Sequence, residues 1–310
     1  MWRTLLLSTL AVACAPRYGS LGPIAPEDLW SPLPVRHVDV GGVDVAYVDS
    51  GGRGEPIVFV HGLSSYLSFW EYQLPHFAKS HRVLAIDLPG YGQSGRPDAP
   101  CTPPWYADVV SDWMATVGVP RATVVGHSMG GQIAVQLALS HPDRVDRLVL
   151  SAPAGFERFS PGAGRFMREF WTESRALESS EEQVRANFTA MVFNRVDDGV
   201  ERLIRERVQL GKHPRFAGTS VAVSRSVAGM LDFPILDRAA EVRVPVLVVY
   251  GTDDRMIPNP VFTGGRTRAI AETAKNAFPD ARLVLVPGAG HTVHHDAPDA
   301  FNEAMEEFLR

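Results

Sequence analysis

The sequence predicts an α/β protein: an open, mostly parallel central sheet flanked by helices, with a helical cap inserted into it. Three observations carry this. Six short and almost continuously apolar runs recur along the chain: Ile57-Val-Phe-Val60, Val83-Leu-Ala-Ile86, Ala122-Thr-Val-Val125, Leu148-Val-Leu150, Val246-Leu-Val-Val-Tyr250 and Leu283-Val-Leu-Val286. Strands covered on both faces read this way, since every side chain meets protein whichever way the pleat turns it. Segments with room for crossover helices, such as Gln132 to Ser140, separate the runs, as parallel neighbours require. The interval from Leu150 to Val246 is too long for one crossover and is itself helical in pattern.

The first element is not part of that fold. Met1-Trp-Arg-Thr carries one positive charge, and a mostly apolar stretch from Leu5 to Ala13 precedes Cys14. A bilayer-spanning helix needs about 20 residues, so residues 1–14 read as a signal-peptide core. Leu10-Ala-Val-Ala-Cys14 resembles a bacterial lipobox, with its leucine one place further upstream than the usual pattern. Cys14 is thus the lipidation candidate, and cleavage at Ala11-Val-Ala13 or Ala13-Cys-Ala15 is the alternative. Either route exports the protein, as a membrane-anchored lipoprotein of a bacterial envelope or as a periplasmic or secreted protein. With Cys14 lipidated or removed, Cys101 has no disulfide partner and reads as an ordinary loop thiol.

Residues 15–34, rich in Pro, Gly and Ser, read as a tether. Val38–Val40 and Val43–Val48 alternate around Gly41-Gly42 and predict a β-hairpin. The core is expected over 35–154 and 236–310, with the helical cap at 155–235. Within the cap, Phe166, Met167, Phe170 and Trp171 share one helix face. Val184, Phe188, Met191 and Val192 share another, after a capping-box-like Ser180-Glu-Glu-Gln183. Such faces glue a cap to its base or line a greasy pocket.

Composition narrows the function. The 310 residues are 45% hydrophobic and 21% charged with net charge −5, which suits a globular protein with a sizeable core. No long basic run marks a nucleic-acid footprint. There is no CxxC or HExxH, so no metal and no cofactor is expected. His294-His295 reads as a surface pair at a loop or helix start.

The segment Val124-Val-Gly-His-Ser-Met-Gly-Gly-Gln-Ile-Ala134 carries the chemistry. Ligands of parallel α/β sheets bind beyond the carboxyl ends of the strands, and Ser128 sits at such an end. A sharp strand-to-helix turn holds the serine in strained φ/ψ and pushes its Oγ outward. Gly126 and Gly130 relieve the crowding, and the free N–H groups of the following helix point at developing negative charge. A nucleophilic serine needs a base, and the base needs an acid to fix its tautomer. Gly251-Thr-Asp-Asp-Arg-Met-Ile-Pro258 and Gly288-Ala-Gly-His291 offer both at strand ends.

From about residue 36 to 310 the chain resembles the α/β-hydrolase superfamily. His61-Gly-Leu-Ser-Ser65 resembles its oxyanion loop, and Asp87-Leu-Pro-Gly-Tyr-Gly-Gln-Ser94 its DxPGxGxS segment; GHSMGG, GTDDRMIP and GAGH complete the set. The resemblance implies an α/β-hydrolase fold with catalytic Ser128, Asp254 and His291. It also implies an oxyanion hole from the backbone N–H groups of Leu63 and Met129, with His61, Gly62, Gly126 and Gly130 as support. Asp253 is then a loop neighbour and His127 a wall residue pointing away from Oγ.

A serine at the elbow argues against the halide- and epoxide-opening branches. It implies an acyl-enzyme and cleavage of carboxylic esters, with a medium acyl chain or a monoacylglycerol-like lipid. Two alternatives stand beside this reading. One is a C–C bond hydrolase of the meta-cleavage type, whose GNSMGG and cap arginine resemble GHSMGG and Arg207. Against it, Arg207 in the run Arg202, Arg205, Arg207 reads more simply as a solvated basic face. The other is a non-catalytic receptor for a hydrophobic ligand. The expected partner is a small ester or lipid, together with membrane attachment through Cys14 and no nucleic acid.

Overall fold

The structure, a computed structural model, describes residues 17–310. The signal segment and Cys14 lie outside the described residues. Strands β1 (Val35–Val40) and β2 (Val43–Asp49) form the hairpin, turning at Gly41 and Gly42 with φ of 60° and 86°. That double positive φ is what a two-residue turn needs and what glycine supplies without strain. β2 continues antiparallel onto β4 (Arg82–Ile86). From there β3 (Pro56–Val60), β4, β5 (Ala122–His127), β6 (Val145–Ser151), β7 (Val246–Gly251) and β8 (Ala281–Val286) run parallel. The eight strands lie in the order β1-β2-β4-β3-β5-β6-β7-β8.

The apolar runs are continuous because both faces are covered. Ile57, Phe59, Val83, Ala85, Val125, Val149 and Val249 face one layer, with Trp70, Leu74, Phe77 and Phe301. Their alternates Val58, Val60, Leu84, Ile86, Val124, Leu148 and Val248 face the other, with Trp113, Ile133 and Val135. Burial of each such side chain contributes about 1.5–3 kcal/mol relative to exposure. The first layer holds α1 (Gln73–Phe77) and the second holds α2 (Pro103–Thr116) and α3 (Met129–Ser140). α2 starts where the Thr102 hydroxyl accepts from the Trp105 N–H, with prolines in the first turn, where a missing donor is harmless.

Between β6 and β7 lies a helical insert: α4 (Pro161–Phe170), α5 (Glu173–Leu177), α6 (Glu181–Asn187), a π turn at Phe188–Val192, α7 (Asp198–Leu210) and α8 (Phe216–Asp232). The Ser180–Gln183 capping box forms at the start of α6, with both reciprocal bonds in place. Val184 and Phe188 pack with Phe193, Leu203, Ile204 and Phe216 against Tyr66 and Phe69 of the core, so this face glues the insert down, and with Met191 and Val192 it also lines a cavity. α4 has no buried residue, and Met167, Phe170 and Trp171 line the same cavity. After β7 come α9 (Thr267–Ala277), α10 (Val293–Asp296) and α11 (Pro298–Leu309).

Three expectations are corrected here. Residues 18–33 do not hang as a tether but form a strap across the insert. Leu29 is buried in the insert's apolar cluster, Trp30 lies under the Arg202 guanidinium, and Lys212 Nζ donates to the carbonyls of Gly19 and Leu21. His294 and His295 are fully buried, not a surface pair. His294 stacks on Trp70 at 4.1 Å and contacts Ser151 Oγ at 3.1 Å. His295 Nε2 lies 2.8 Å from Glu71 Oε1. Of the three arginines of α7 only Arg205 is exposed, so they do not form one solvated face. Arg202 pairs with Glu71 at 2.7 Å, and Arg207 turns inward over the Phe216 ring.

Glu71 therefore joins core, insert and α10 in one buried knot. Burial pushes its carboxyl up, but hydrogen bonds from His295 and Arg202 more than offset this and hold it below the usual range. Glu71→Ala leaves Arg202 a half-buried charge without its carboxylate. It is expected to cost about 3 kcal/mol, a fall in melting temperature of roughly 5 °C. Glu71→Gln, which keeps one acceptor, should lose less. Thermal melts of both variants check this, and equal melting temperatures for wild type and Glu71→Ala would refute it.

Candidate active site

Ser128 stands between β5 and α3 with φ 52° and ψ −117°, a region L side chains rarely occupy. The surrounding backbone holds it there. Its N–H donates to the Ser151 carbonyl at 3.0 Å, and its own carbonyl accepts from Gly131, Gln132 and Ala154 at 2.9, 3.2 and 3.0 Å. A Cβ on Gly126 would lie 2.3 Å from the Gly130 carbonyl oxygen, and one on Gly130 would lie 2.3 Å from that of Val60. Both obstacles are backbone, so no side chain fits at either position.

The loop from His61 to Ser65 lies directly over this elbow. His61 Nε2 accepts from the Leu88 N–H at 3.0 Å, so the proton sits on Nδ1, which donates to the Gly62 carbonyl at 2.8 Å. Ser65 Oγ donates to the same carbonyl at 2.8 Å. Complete burial pushes His61 down to about 4, which keeps it neutral. Asp87, also fully buried and pushed up to about 6, accepts from the N–H groups of Leu67 and Gln93, each at 2.7 Å. The DLPGYGQS segment is thus the scaffold behind the His61–Ser65 loop. Among the described residues, the N–H groups of Leu63 and Met129 have no backbone acceptor.

His291 and Asp254 meet. Asp254 Oδ2 lies 2.9 Å from His291 Nδ1, with side-chain exposure of 0% and 2%. Asp254 Oδ1 accepts from the N–H groups of Met256 and Ile257 at 2.8 and 2.9 Å. The carboxylate is fixed at both oxygens, so Nδ1 of the imidazole carries the proton and Nε2 is left as a base. Asp253 is exposed, and its carboxylate accepts from the hydroxyl of its neighbour Thr252. His127, fully buried and held neutral, directs Nε2 at the His291 carbonyl, 3.2 Å away.

Ser128, His291, His127 and Leu63 all line one cavity of about 1010 Å³. Its walls include Phe69, Phe188, Met191, Trp171 and Met230, so it is largely apolar. Two polar groups there stand apart from the sequence reading: Glu157 was missed, and Arg207 was set aside as part of a solvated face. Glu157 follows β6; burial raises its carboxyl, while the N–H of Asn259 and the hydroxyl of Thr263 bond to Oε1 at 2.8 and 2.7 Å. No periodic signal pointed to it. Arg207 lines the far wall, and burial pushes its guanidinium down to about 10. Here a signal existed: Val200, Leu203, Ile204 and Val208 form the buried stripe of α7, and position 207 falls on it.

Comparison with known proteins agrees with this fold. The α/β hydrolase fold family matches residues 55–298. The provisional carbamate hydrolase RutD of Azorhizobium caulinodans is 30% identical over 279 residues, covering 89% of this chain and 98% of that protein. A candidate hydrolytic enzyme of Pseudomonas aeruginosa PAO1 has a similar structure with a TM-score of 0.83 at 23% identity, over 93% of this chain and 99% of the other. The enol-lactonase of Burkholderia xenovorans LB400 gives a TM-score of 0.69 at 26% identity, over 88% of this chain and 99% of the other. The match runs from the start of β3 to the start of α11 and contains the elbow, the acid and the imidazole. The chain belongs to the α/β-hydrolase family.

Proposed function

We propose that the protein is a serine hydrolase that cleaves carboxylic esters with lipid-like or medium-length acyl chains. One observation carries the reading: a serine in strained φ/ψ and a carboxylate-oriented imidazole line the same apolar cavity. In this mechanism Ser128 Oγ attacks the ester carbonyl while His291 Nε2 takes its proton. The carbonyl oxygen, now negative, accepts from the N–H groups of Leu63 and Met129. The tetrahedral intermediate collapses to an acyl-Ser128, and the alcohol leaves with the proton from His291. Water, deprotonated by the same imidazole, then attacks the acyl carbon; the acid leaves and Ser128 regains its proton. Asp254 holds the imidazole in its tautomer and stabilises the imidazolium.

The size and apolar lining of the cavity support an acyl chain rather than a small acid, since drug-sized ligands occupy about 300–1,000 Å³. A lactone is a cyclic ester, so likeness to an enol-lactonase points the same way. Lipidation of Cys14 and placement on a bacterial envelope belong to the same proposal.

Arg207 favours a second reading. A cation on the cavity wall suits a substrate carboxylate, as the dienoic diketone acids of C–C bond hydrolysis carry. A fluorophosphonate probe should label wild type and leave Ser128→Ala unlabelled. Among p-nitrophenyl esters, octanoate should be hydrolysed with a higher kcat/KM than acetate. Absence of labelling would sink the hydrolase reading. Turnover of a diketone acid with none of any ester would replace it with the second.

A further inference from the structure

Beyond the catalytic cavity, the outer face of the insert has an organisation that the chemistry does not use. Phe166 on α4 is 50% exposed, Leu177 on α5 is 40% exposed, and Val261 is 81% exposed. The Phe166 ring lies 5.7 Å from Phe170 and 5.4 Å from Phe262. The patch thus runs from the insert onto the turn after β7. Isolated exposed apolar residues need no explanation, but a connected group such as Phe166, Phe170 and Phe262 does.

This patch rims the mouth of the cavity. The lining residues Ser128, His291 and Phe188 are buried, whereas Arg158, Arg165, Arg168 and Arg175 are exposed. The opening therefore lies along α4 and α5. Arg158 and Arg168 pair with Asp237 and Asp232, and the Arg175 guanidinium lies 3.8 Å over the Phe170 ring; aromatic side chains interleaved with arginines suit the headgroup level of a bilayer.

The course of the strap is an independent observation. The Tyr18 N–H donates to Glu181 Oε1 at 2.7 Å, at the first residue of α6. Gln183, two residues on, borders one surface hollow with Glu169, Arg175 and Glu178. The chain thus enters the fold at the corner where α4, α5 and α6 meet. Three residues, the separation of Cys14 and Arg17, span at most about 10 Å.

We propose that the face formed by α4, α5 and the Val261–Phe262 turn docks on a lipid bilayer surface, so that the cavity is filled from the membrane side. A second copy of the chain is the weaker occupant. A stable dimer buries about 800 Å² per partner, and a handful of exposed apolar side chains offers a few hundred. The docking holds whether or not the ester reading does, because it depends on the outer surface alone.

The test uses the full chain carrying Cys14→Ser, so that no acyl group on residue 14 contributes. Flotation with phosphatidylcholine vesicles containing phosphatidylglycerol reads the bound fraction. The parent is expected to float, and Phe166→Asp with Val261→Asp to lower its partition coefficient at least tenfold. Neither residue lines the cavity, so hydrolysis of soluble p-nitrophenyl acetate should stay within twofold. Circular dichroism checks that the variant folds; single substitutions replace the pair if it does not. A parent that stays with the vesicle-free fraction, or variants that float equally, would overturn the proposal. So would a parent dimer in sedimentation equilibrium that these substitutions convert to monomer.

Discussion

Ser128→Ala is expected to lower kcat on p-nitrophenyl butyrate by at least about 10⁴-fold, with Asp254→Asn close behind at about 10⁴. The reasons differ. Alanine removes the attacking atom, leaving only binding and the two backbone donors to aid hydrolysis. Asparagine keeps the shape, but its amide can present NH₂ where Asp254 Oδ2 accepts from His291 Nδ1 at 2.9 Å. The imidazole then settles with its proton on the wrong nitrogen. The N–H groups of Met256 and Ile257 still bond the remaining oxygen, so the loop keeps its fold. Asp253→Asn, on an exposed carboxylate beside Thr252, should change kcat less than threefold. Steady-state kinetics on the three variants checks the assignment. Equal losses at 253 and 254 would remove Asp254 from its role.

Acid is expected to weaken the protein well before most carboxylates protonate. Burial pushes His61 down to about 4 and His127 and His294 well below the ordinary histidine value. As the pH falls through about 6.5, the unfolded chain takes up a proton on each of these residues while the native chain does not. Each histidine thereby removes about 1.4 kcal/mol of stability per pH unit. Asp87 works in the opposite direction. Burial raises its carboxyl to about 6, so below that pH the native chain holds a proton that the unfolded chain takes up only near 3.9. The three histidines outweigh it, and stability should fall by about 3 kcal/mol between pH 7.5 and 5.5. Urea unfolding at these two pH values should show a midpoint lower by about 1 M at the acid end. An unchanged midpoint would contradict the neutral, buried state of the histidines.

The sheet was legible because its signal is local. A strand covered on both faces is apolar at every position, so β3 to β8 announce themselves as short runs. The elbow was legible for a related reason: the crowding that excludes a Cβ at Gly126 and Gly130 is set by the turn itself. Features decided by distant partners were not legible. Residues 18–33 are rich in turn formers, and composition alone reads as a tether. Their order comes from Glu181, Glu201, Glu206 and Lys212, all more than 150 positions away. His294 and His295 look like a polar pair until Trp70 and Glu71 are placed beside them. Arg207 was misjudged by grouping it with its charged neighbours, although the apolar periodicity of α7 placed it inward.

The insert is fastened unevenly, and this bears on traffic. Near His291 it is held tightly: the Val192 carbonyl accepts from the Thr292 N–H at 3.1 Å and hydroxyl at 2.9 Å, and the Asn194 N–H donates to Asp296 at 3.0 Å. Beside α4 it is tied by the exposed pair Arg158–Asp237, and α4 itself is tied to α8 by the exposed pair Arg168–Asp232, each contributing about 0–1 kcal/mol. Any breathing then happens at the α4 edge, while the imidazole side stays still. Looseness at that edge is separate from the bonds that align His291. Grafting a different 160–180 segment should accordingly retune which molecules get in and how fast they leave, with bond cleavage itself untouched.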